Sequence, residues 1–197
     1  MVRKKGNWKR IGVIFFGVFI VAALVSSSSE LLVKGASLGV AWVLLFLVII
    51  IGIIFDVIGT AAAAATEAPH HAAAANKVKG AKQAVFIVRH ADAVANFSND
   101  IVGDICGTIS GAMAASIVLN LLQSYPSLRI YQIVINTVML AFVASITVTG
   151  KAIGKRFAIQ EANRIVGAVG KLMAVIEDFT GWRFTERKKR GDRKSHG

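Results

Sequence analysis

Cysteine, proline and charged residues are scarce in this chain of 197 residues, and each shortage excludes a class of protein. The one cysteine, Cys106, leaves no partner for an intrachain disulfide and no CxxC metal site. Two prolines in the whole chain leave long stretches in which a helix is not interrupted. Charged residues make up 17% and hydrophobic residues 55%, the opposite of the balance that keeps a chain disordered. The sequence therefore predicts an ordered, helical and strongly apolar protein.

Long apolar runs account for this composition. A helix needs about 20 mostly apolar residues to cross a bilayer, and three runs meet that length: Gly39–Ile58, Ile101–Leu122 and Ile130–Thr149. A shorter run, Ile11–Val25, follows a basic N-terminus. We interpret it as a signal anchor that stays in the protein, with a cleaved signal peptide as the alternative. The expected fold class is all-α: a polytopic integral membrane protein with four transmembrane helices, the first of them the anchor.

Basic residues are distributed unevenly among the segments that flank these helices. Residues 1–10 contain five Lys and Arg, residues 59–100 contain four and residues 150–197 contain twelve. Because basic loops stay in the cytoplasm, both termini are predicted to be cytoplasmic, and we expect a multi-pass protein of the bacterial plasma membrane. The net charge of +12 is then a topology signal. The lipid bilayer is the expected partner, and no nucleic acid is needed to explain the charge.

The segments outside the apolar runs are short. Residues 60–95 form an alanine-rich insert that favours juxtamembrane helices, and Glu67 and His70 are its candidate functional residues. Residues 157–181 are predicted to form a cytoplasmic amphipathic helix, since apolar residues recur there at spacings of three and four. That apolar stripe contains Ala158, Ala162, Ile165, Val169, Leu172, Ile176 and Phe179. The predicted organisation is a basic N-terminus and anchor at 1–30, a transmembrane domain at 39–156, the amphipathic helix, and a disordered basic tail at 182–197.

Acidic residues at the start of the second long run could line a cation site. Asp100, Asp104 and Thr108 are spaced by four and therefore share one helix face. Ionisable groups inside a membrane span usually face a bundle interior or a wet cavity, and hard cations such as Mg²⁺ prefer oxygen ligands. Asp104 and Asp100 are thus the metal-ligand candidates. The alternative is that Asp100 lies at the interface and Asp104 pairs with a lysine.

Three glycines form a ridge beside that face. Gly103, Gly107 and Gly111 repeat every four residues, a spacing that permits close helix packing in lipid. The packing could be within the chain or across a homodimer, and a homodimer is the expected state. By contrast, the sequence contains no glycine-rich phosphate loop, no HExxH motif and no convincing nucleophile–base pair. No enzymatic activity is therefore predicted.

Several short motifs follow one another in a fixed order. They are Ala65-Thr-Glu-Ala68, Val78-Lys-Gly-Ala-Lys82, Asp92, Gly103-Asp-Ile105 and Gly150-Lys-Ala-Ile-Gly-Lys155. In order and spacing, residues from about 40 to 175 resemble the transmembrane domain of the CorB/CorC and cyclin-M (CNNM) family of magnesium transporters. The resemblance implies three family-like spans after the anchor, a domain that dimerises, and Mg²⁺ held by polar groups of the second and third spans.

The sequence departs from the family at the positions that matter most for an ion. The family's third-span carboxylate corresponds to Lys151 here, and its proline corresponds to Gly154. The family's Gly-Asn-Asn amides correspond to Asp104 and Ile105, and its nucleotide-binding CBS domain pair is not in this sequence. The residues that can correspond to the family's ion site are Gly103, Asp104, Thr108 and the turn at Lys151.

These observations lead to two functional hypotheses. The first is a divergent CorB/CorC-like protein that transports or binds a divalent cation, with Mg²⁺ as the only cofactor considered. The second is a non-transporting homodimeric scaffold that holds an unidentified membrane or cytoplasmic partner. If Lys151 lies beside Asp104, the two are predicted to form an ion pair that replaces the cation. The alternative is that Lys151 extends to the cytoplasmic interface at the end of its span.

Overall fold

The structure, a computed structural model, describes residues 8–35 and 37–181. Every regular element in these residues is helical, which confirms the all-α prediction. The predicted basic tail, residues 182–197, lies outside the described residues. The α-helices are α1 (Trp8–Gly35), α2 (Leu38–Ala64), α3 (Glu67–Ala75), α4 (Ala81–Arg89), α5 (Ala91–Ala95), α6 (Gly103–Ser124), α7 (Gln132–Gln160) and α8 (Ala162–Thr180). A π-helix at Asn96–Val102 joins α5 to α6, and a 3-10 helix at Pro126–Tyr131 joins α6 to α7.

Three continuous helical segments are long and apolar enough to cross a membrane: Leu38–Ala64, Ala91–Ser124 and Pro126–Gln160. They contain the three long apolar runs of the sequence, so these three predicted spans are present as helices. The apolar part of α1, Phe15–Ser28, is shorter than these. Each long helix extends past the run that predicts it, because helix propensity continues where hydrophobicity ends. In α2, for example, the extension is the alanine run after Thr60.

Close contacts at glycines establish the direction of these helices. A Cβ added to Gly52 of α2 would lie 2.9 Å from Cβ of Cys106, and one added to Gly59 would collide with Asn99. Residue numbers therefore increase along α2 in the direction in which they decrease along α6, so the two helices are antiparallel. Gly150 and Gly154 of α7 instead meet Ile53 and Val57 in the same order, so α7 runs parallel to α2.

Two buried clusters follow from this arrangement. The larger fills the space between α2, α6 and α7, and its members include Ala41, Leu45, Ile49, Ile109, Met113, Ile117, Leu122 and Val143. The smaller lies where α2 and α7 end and contains Ala61, Ala62, Ala84, Ile87, Ala158 and Val166. Small residues dominate the smaller cluster, so the helices at this end approach closely.

The insert and the C-terminal helix pack together at that end of the bundle. The backbone N–H of Thr66 donates to Oδ1 of Asn163 at 2.9 Å, and Nε2 of Gln83 donates to Glu177 at 2.6 Å. Gly80 has a φ of 84°, in the left-handed region, and a Cβ there would lie 2.5 Å from the Cα of Lys171. Glycine is required at this turn for its conformation and for the close approach of α8.

The face that α8 buries differs from the predicted stripe. Ala158 and Ala162 are buried as expected, and Ile165 and Val169 are partly buried. Leu172, Ile176 and Phe179 are exposed instead, and the buried positions of α8 are Ala162, Val166, Gly170 and Ala174. The reason is that α4 approaches α8 at Gly170, where only a small residue fits. Small residues therefore face α4 at this contact, and Val166, nearer the start of α8, packs into the smaller cluster.

Candidate cation-binding site between the spans

A buried carboxylate lies inside the first long span. Asp56 of α2 is 3% exposed, and it belongs to a helix whose other residues around it are almost all apolar. Its Oδ1 lies 3.6 Å from Nζ of Lys155, whereas its Oδ2 is buried without a hydrogen-bond partner. A carboxylate oxygen left unpaired in a low-dielectric interior is costly. Such a group in a membrane span is a marker of a functional position.

A second unpaired oxygen comes from the π-helix. Asn99 carries a buried Oδ1 that has no hydrogen-bond partner, and its side chain lies against Gly59 of α2. Gly59 is one helical turn beyond Asp56, on the same side of α2. A π-helix closes i→i+5 hydrogen bonds and so shifts the side chains that follow it, and such segments are frequent at functional sites. The π-helix thus aims Asn99 at the helix that carries Asp56.

The antiparallel register brings Asp56 to the level of the second span where α6 begins. Gly52 meets Cys106 and Gly59 meets Asn99, so Asp56, between them, lies opposite the start of α6 near Gly103. At this level the carbonyl oxygen of Gly103 accepts a hydrogen bond from Nζ of Lys151 at 3.4 Å. A carboxylate, an amide oxygen and a backbone carbonyl therefore lie between α2 and α6.

Two lysines of α7 complete the polar layer. The Lys151 side chain is partly buried and Lys155 is half exposed, with its ammonium reaching back to Asp56. They lie one turn apart on α7, which packs on α2 through Gly150 and Gly154. In the described arrangement the layer carries one carboxylate and two ammonium groups. A cation that binds Asp56 must therefore displace or repel Lys155.

The residues predicted from sequence lie elsewhere. Asp100 and Asp104 are exposed, and Thr108 donates its hydroxyl to the carbonyl oxygen of Asp104 at 3.0 Å. Lys151 binds the Gly103 carbonyl and forms no ion pair with Asp104, so the predicted Asp104–Lys151 pair is wrong. Asp104 lies one residue, about 100° of rotation, from Gly103, so it points away from the polar layer.

The predicted glycine ridge divides into two parts. Gly103 is buried and faces Lys151, with a built Cβ 3.3 Å from Nζ. A Cβ at Gly107 or Gly111 would meet no atom within 4 Å outside the glycine's own stretch of helix. Close packing of the described chain on itself therefore does not use Gly107 or Gly111. The close contacts between spans use Gly52, Gly59, Gly150 and Gly154 instead.

The juxtamembrane candidates, Glu67 and His70, belong to α3. Oε2 of Glu67 lies 2.9 Å from Nε2 of His71 and accepts a hydrogen bond from Nε of Arg89 at 3.2 Å. The contact with His71, and then the one with Arg89, lowers the pKa of the Glu67 carboxyl below its usual value. This cluster is exposed and joins α3 to α4.

His70 has the opposite environment. It is 6% exposed and its Nε2 is buried without a hydrogen-bond partner. Burial lowers the pKa of His70 because it disfavours the charged imidazolium, and hydrogen bonding to Asn163 of α8 opposes that effect. His70 is therefore held neutral at the junction of α3 and α8.

Sequence reasoning selects Asp104 as the ligand candidate and does not select Asp56, Asn99 or Lys155 as site residues. A signal for Asp56 was available, because it is the single charged residue in an otherwise apolar span. Nothing in the sequence indicates the π-helix that directs Asn99. Among the described residues no group of three or more His, Cys, Asp or Glu side chains could hold a metal ion. A cation at this layer would thus depend on one carboxylate and on neutral oxygens.

Comparisons of the chain with family models, with curated proteins and with solved structures give no match. The resemblance to the CorB/CorC and cyclin-M family therefore stays a prediction from the motifs.

Proposed function

We propose that the chain is an integral membrane protein of the bacterial plasma membrane with α1 as a fourth span and both termini in the cytoplasm. Two observations support this. The antiparallel packing of α2 and α6 and the parallel packing of α2 and α7 place the insert and α8 at one end of the bundle. Among the described residues, that end carries the basic side chains of the insert and of residues 150–171, as a cytoplasmic end does. In this topology α8 is the cytoplasmic amphipathic helix.

We propose further that the protein binds a divalent cation, Mg²⁺ in preference, and moves it across the bilayer through the layer at Asp56. The observation that carries this proposal is the pair of buried, unpaired oxygens, Oδ2 of Asp56 and Oδ1 of Asn99. Carboxylate and amide oxygens are the ligands that Mg²⁺ prefers, and Mg²⁺ commonly keeps several waters in addition to one or two carboxylates. The resemblance of the sequence motifs to those of the magnesium transporter family implies the same ion.

Lys155 is proposed to act as a tethered cation that competes with the ion. Its ammonium lies 3.6 Å from Asp56 while half of the side chain is exposed, so it can leave for solvent when an ion arrives. Two unit charges about 4 Å apart attract by about 4 kcal/mol at an effective dielectric of 20, and exposure reduces that value. Wild-type protein should therefore bind Mg²⁺ weakly. No catalytic activity is proposed.

The test combines a Mg²⁺ titration of purified protein with Mg²⁺ flux into liposomes. Replacing Lys155 with Met should tighten Mg²⁺ binding by about tenfold, equivalent to about 1.4 kcal/mol, because the competing charge is removed. Replacing Asp56 with Asn should abolish both binding and flux, since the charged ligand is lost. Asn99→Ala should weaken binding without removing a charge.

The matched control is Asp104→Asn, which removes a carboxylate from the exposed side of α6 and should leave binding unchanged. The expected gain in Mg²⁺ affinity of Lys155→Met also controls for misfolding, because an unfolded variant would not bind the ion more tightly. If neither wild type nor Lys155→Met binds Mg²⁺, or if Asp104→Asn abolishes binding and Asp56→Asn does not, the proposal is wrong.

A second candidate function is a non-transporting homodimeric scaffold. The open surface at Gly107 and Gly111 favours it, because small residues on a membrane helix permit a second helix to approach. In this case Asp56 and Lys155 would serve as a structural pair. A protein that dimerises through α6 and binds no ion, with or without Lys155, would fit this function.

A further inference from the structure

The side of α8 that faces away from the rest of the chain is apolar. Leu172, Ile176 and Phe179 are 60%, 42% and 93% exposed. Leu172 and Ile176 each lie two residues, about 200° of helix rotation, beyond the buried Gly170 and Ala174. We call the surface formed by Leu172, Ile176 and Phe179 the outer face of α8. A contiguous apolar face of this kind marks a surface that something else covers.

Basic residues border the outer face and follow it. Lys171 is exposed beside Leu172, and the Arg164 side chain, about two turns earlier, is 85% exposed. Beyond Gly181 the sequence continues with Trp182-Arg-Phe184, and residues 182–197 contain seven Lys and Arg against two Asp and Glu. An apolar face with a basic border and a basic segment after it complements an anionic lipid surface.

The outer face also follows an exposed apolar surface of α7. Ile153, Phe157 and Ile159 of α7 are 67%, 54% and 61% exposed, and they belong to a candidate membrane span. Only Glu161 separates α7 from α8. The exposed apolar surface of the third long span therefore leads directly, along the chain, to α8.

We propose that the outer face of α8 binds the anionic surface of the bilayer. Leu172, Ile176 and Phe179 lie at the boundary between headgroups and acyl chains, and Lys171 contacts lipid phosphates. Interfacial helices bind in this way, through buried apolar area together with attraction to anionic lipid. This inference depends on the proposed membrane topology and is independent of the cation site.

The test places an environment-sensitive fluorophore at Phe179→Cys in the full chain, with Cys106→Ala to remove the native thiol. The protein is reconstituted in nanodiscs of phosphatidylcholine, with or without phosphatidylglycerol. Brominated acyl chains should quench the probe. Phosphatidylglycerol should raise the ratio of membrane-bound to free α8 by about fivefold, because one basic residue near an anionic surface contributes about 1 kcal/mol. High salt should reverse the gain, because it screens the attraction.

The matched control is a probe at Asp178→Cys, one residue and about 100° away from Phe179. Asp178 is exposed and pairs with Lys79, and its probe should remain in water and escape quenching in both lipids. A probe at Phe179 that is unquenched, or quenched equally with and without phosphatidylglycerol, overturns the proposal. Disulfide cross-linking of two chains through Phe179→Cys also overturns it, since a second copy would then cover the face. Each outcome can be read whether or not the protein binds Mg²⁺.

Discussion

Single polar residues have large effects in this molecule because they are buried in an apolar surrounding. One oxygen of Asp56 is matched by the ammonium of Lys155 and the other by nothing. Burying a polar group without a partner costs free energy, so the fold must offset that cost through packing. The same holds for His70, whose Nε2 is buried and unpaired between α3 and α8.

Protonation of His70 should weaken the junction of α3 and α8. Because burial lowers the pKa of His70 below the usual 6.5, the unfolded chain binds more protons than the folded one in that range. The contribution of neutral His70 to the free energy of unfolding is therefore fully present above about pH 6.5, and it is lost as the pH falls below that value. The melting temperature of the purified protein in detergent should fall between about pH 7 and about pH 5.

His70→Gln should flatten that pH dependence, whereas His71→Gln, a change at the exposed neighbouring histidine, should keep it. An identical pH profile for wild type and His70→Gln would show that other groups control acid stability.

At the scale of elements, close approach between backbones determines how α8 docks. A Cβ at Gly170 would lie 2.9 Å from the backbone nitrogen of Ala84 and would collide with the carbonyl oxygen of Gly80. Backbone atoms cannot move aside as a flexible side chain can, so the contact tolerates glycine alone. The salt bridge of 2.7 Å between Lys79 and Asp178 lies beside this contact, but both side chains are exposed. Exposed pairs contribute about 1 kcal/mol at most, so packing holds α8 in place.

Gly170→Ala should destabilise the protein by about 1–3 kcal/mol, the usual cost of overpacking. Gly167→Ala is the matched control on the same helix, because a Cβ at Gly167 meets nothing within 4 Å. It should be neutral or should stabilise α8 by up to about 1 kcal/mol, since alanine favours helix over glycine. Thermal unfolding of the two variants in the same detergent measures the difference. Equal stability of the two variants would mean that α8 docks less closely than described.

At the scale of the whole molecule, the open glycines of α6 suggest how two copies could meet. A Cβ built at Gly107 or Gly111 would meet nothing within 4 Å among the described residues, whereas one built at Gly52, Gly59, Gly150 or Gly154 would contact a neighbouring helix. In lipid no hydrophobic drive brings helices together, so packing at small residues supplies the association. The homodimer predicted from the sequence would use this surface.

Gly107→Leu should shift the protein from dimer to monomer in mild detergent by filling that surface. Light scattering coupled to size-exclusion chromatography measures the mass of the protein without its detergent. Gly39→Leu is the control, because Gly39 of α2 is also open but lies at the start of its helix. A wild-type monomer, or a dimer that Gly107→Leu leaves intact, would contradict the prediction.

The sequence by itself determined the helical class and the position of the three long spans, because hydrophobic length and helix propensity are local properties. It also identified a glycine-rich, acidic start to α6, but it placed the candidate site on Asp104. Only the tertiary structure decided that Asp56, Asn99 and Lys155 share one layer, since the register of α2 against α6 and α7 is fixed by contacts distant in sequence. The buried face of α8 was decided in the same way. Its periodic apolar stripe predicts that Leu172 and Phe179 are buried, but the close approach of α4 at Gly170 selects the small residues and leaves the large ones exposed.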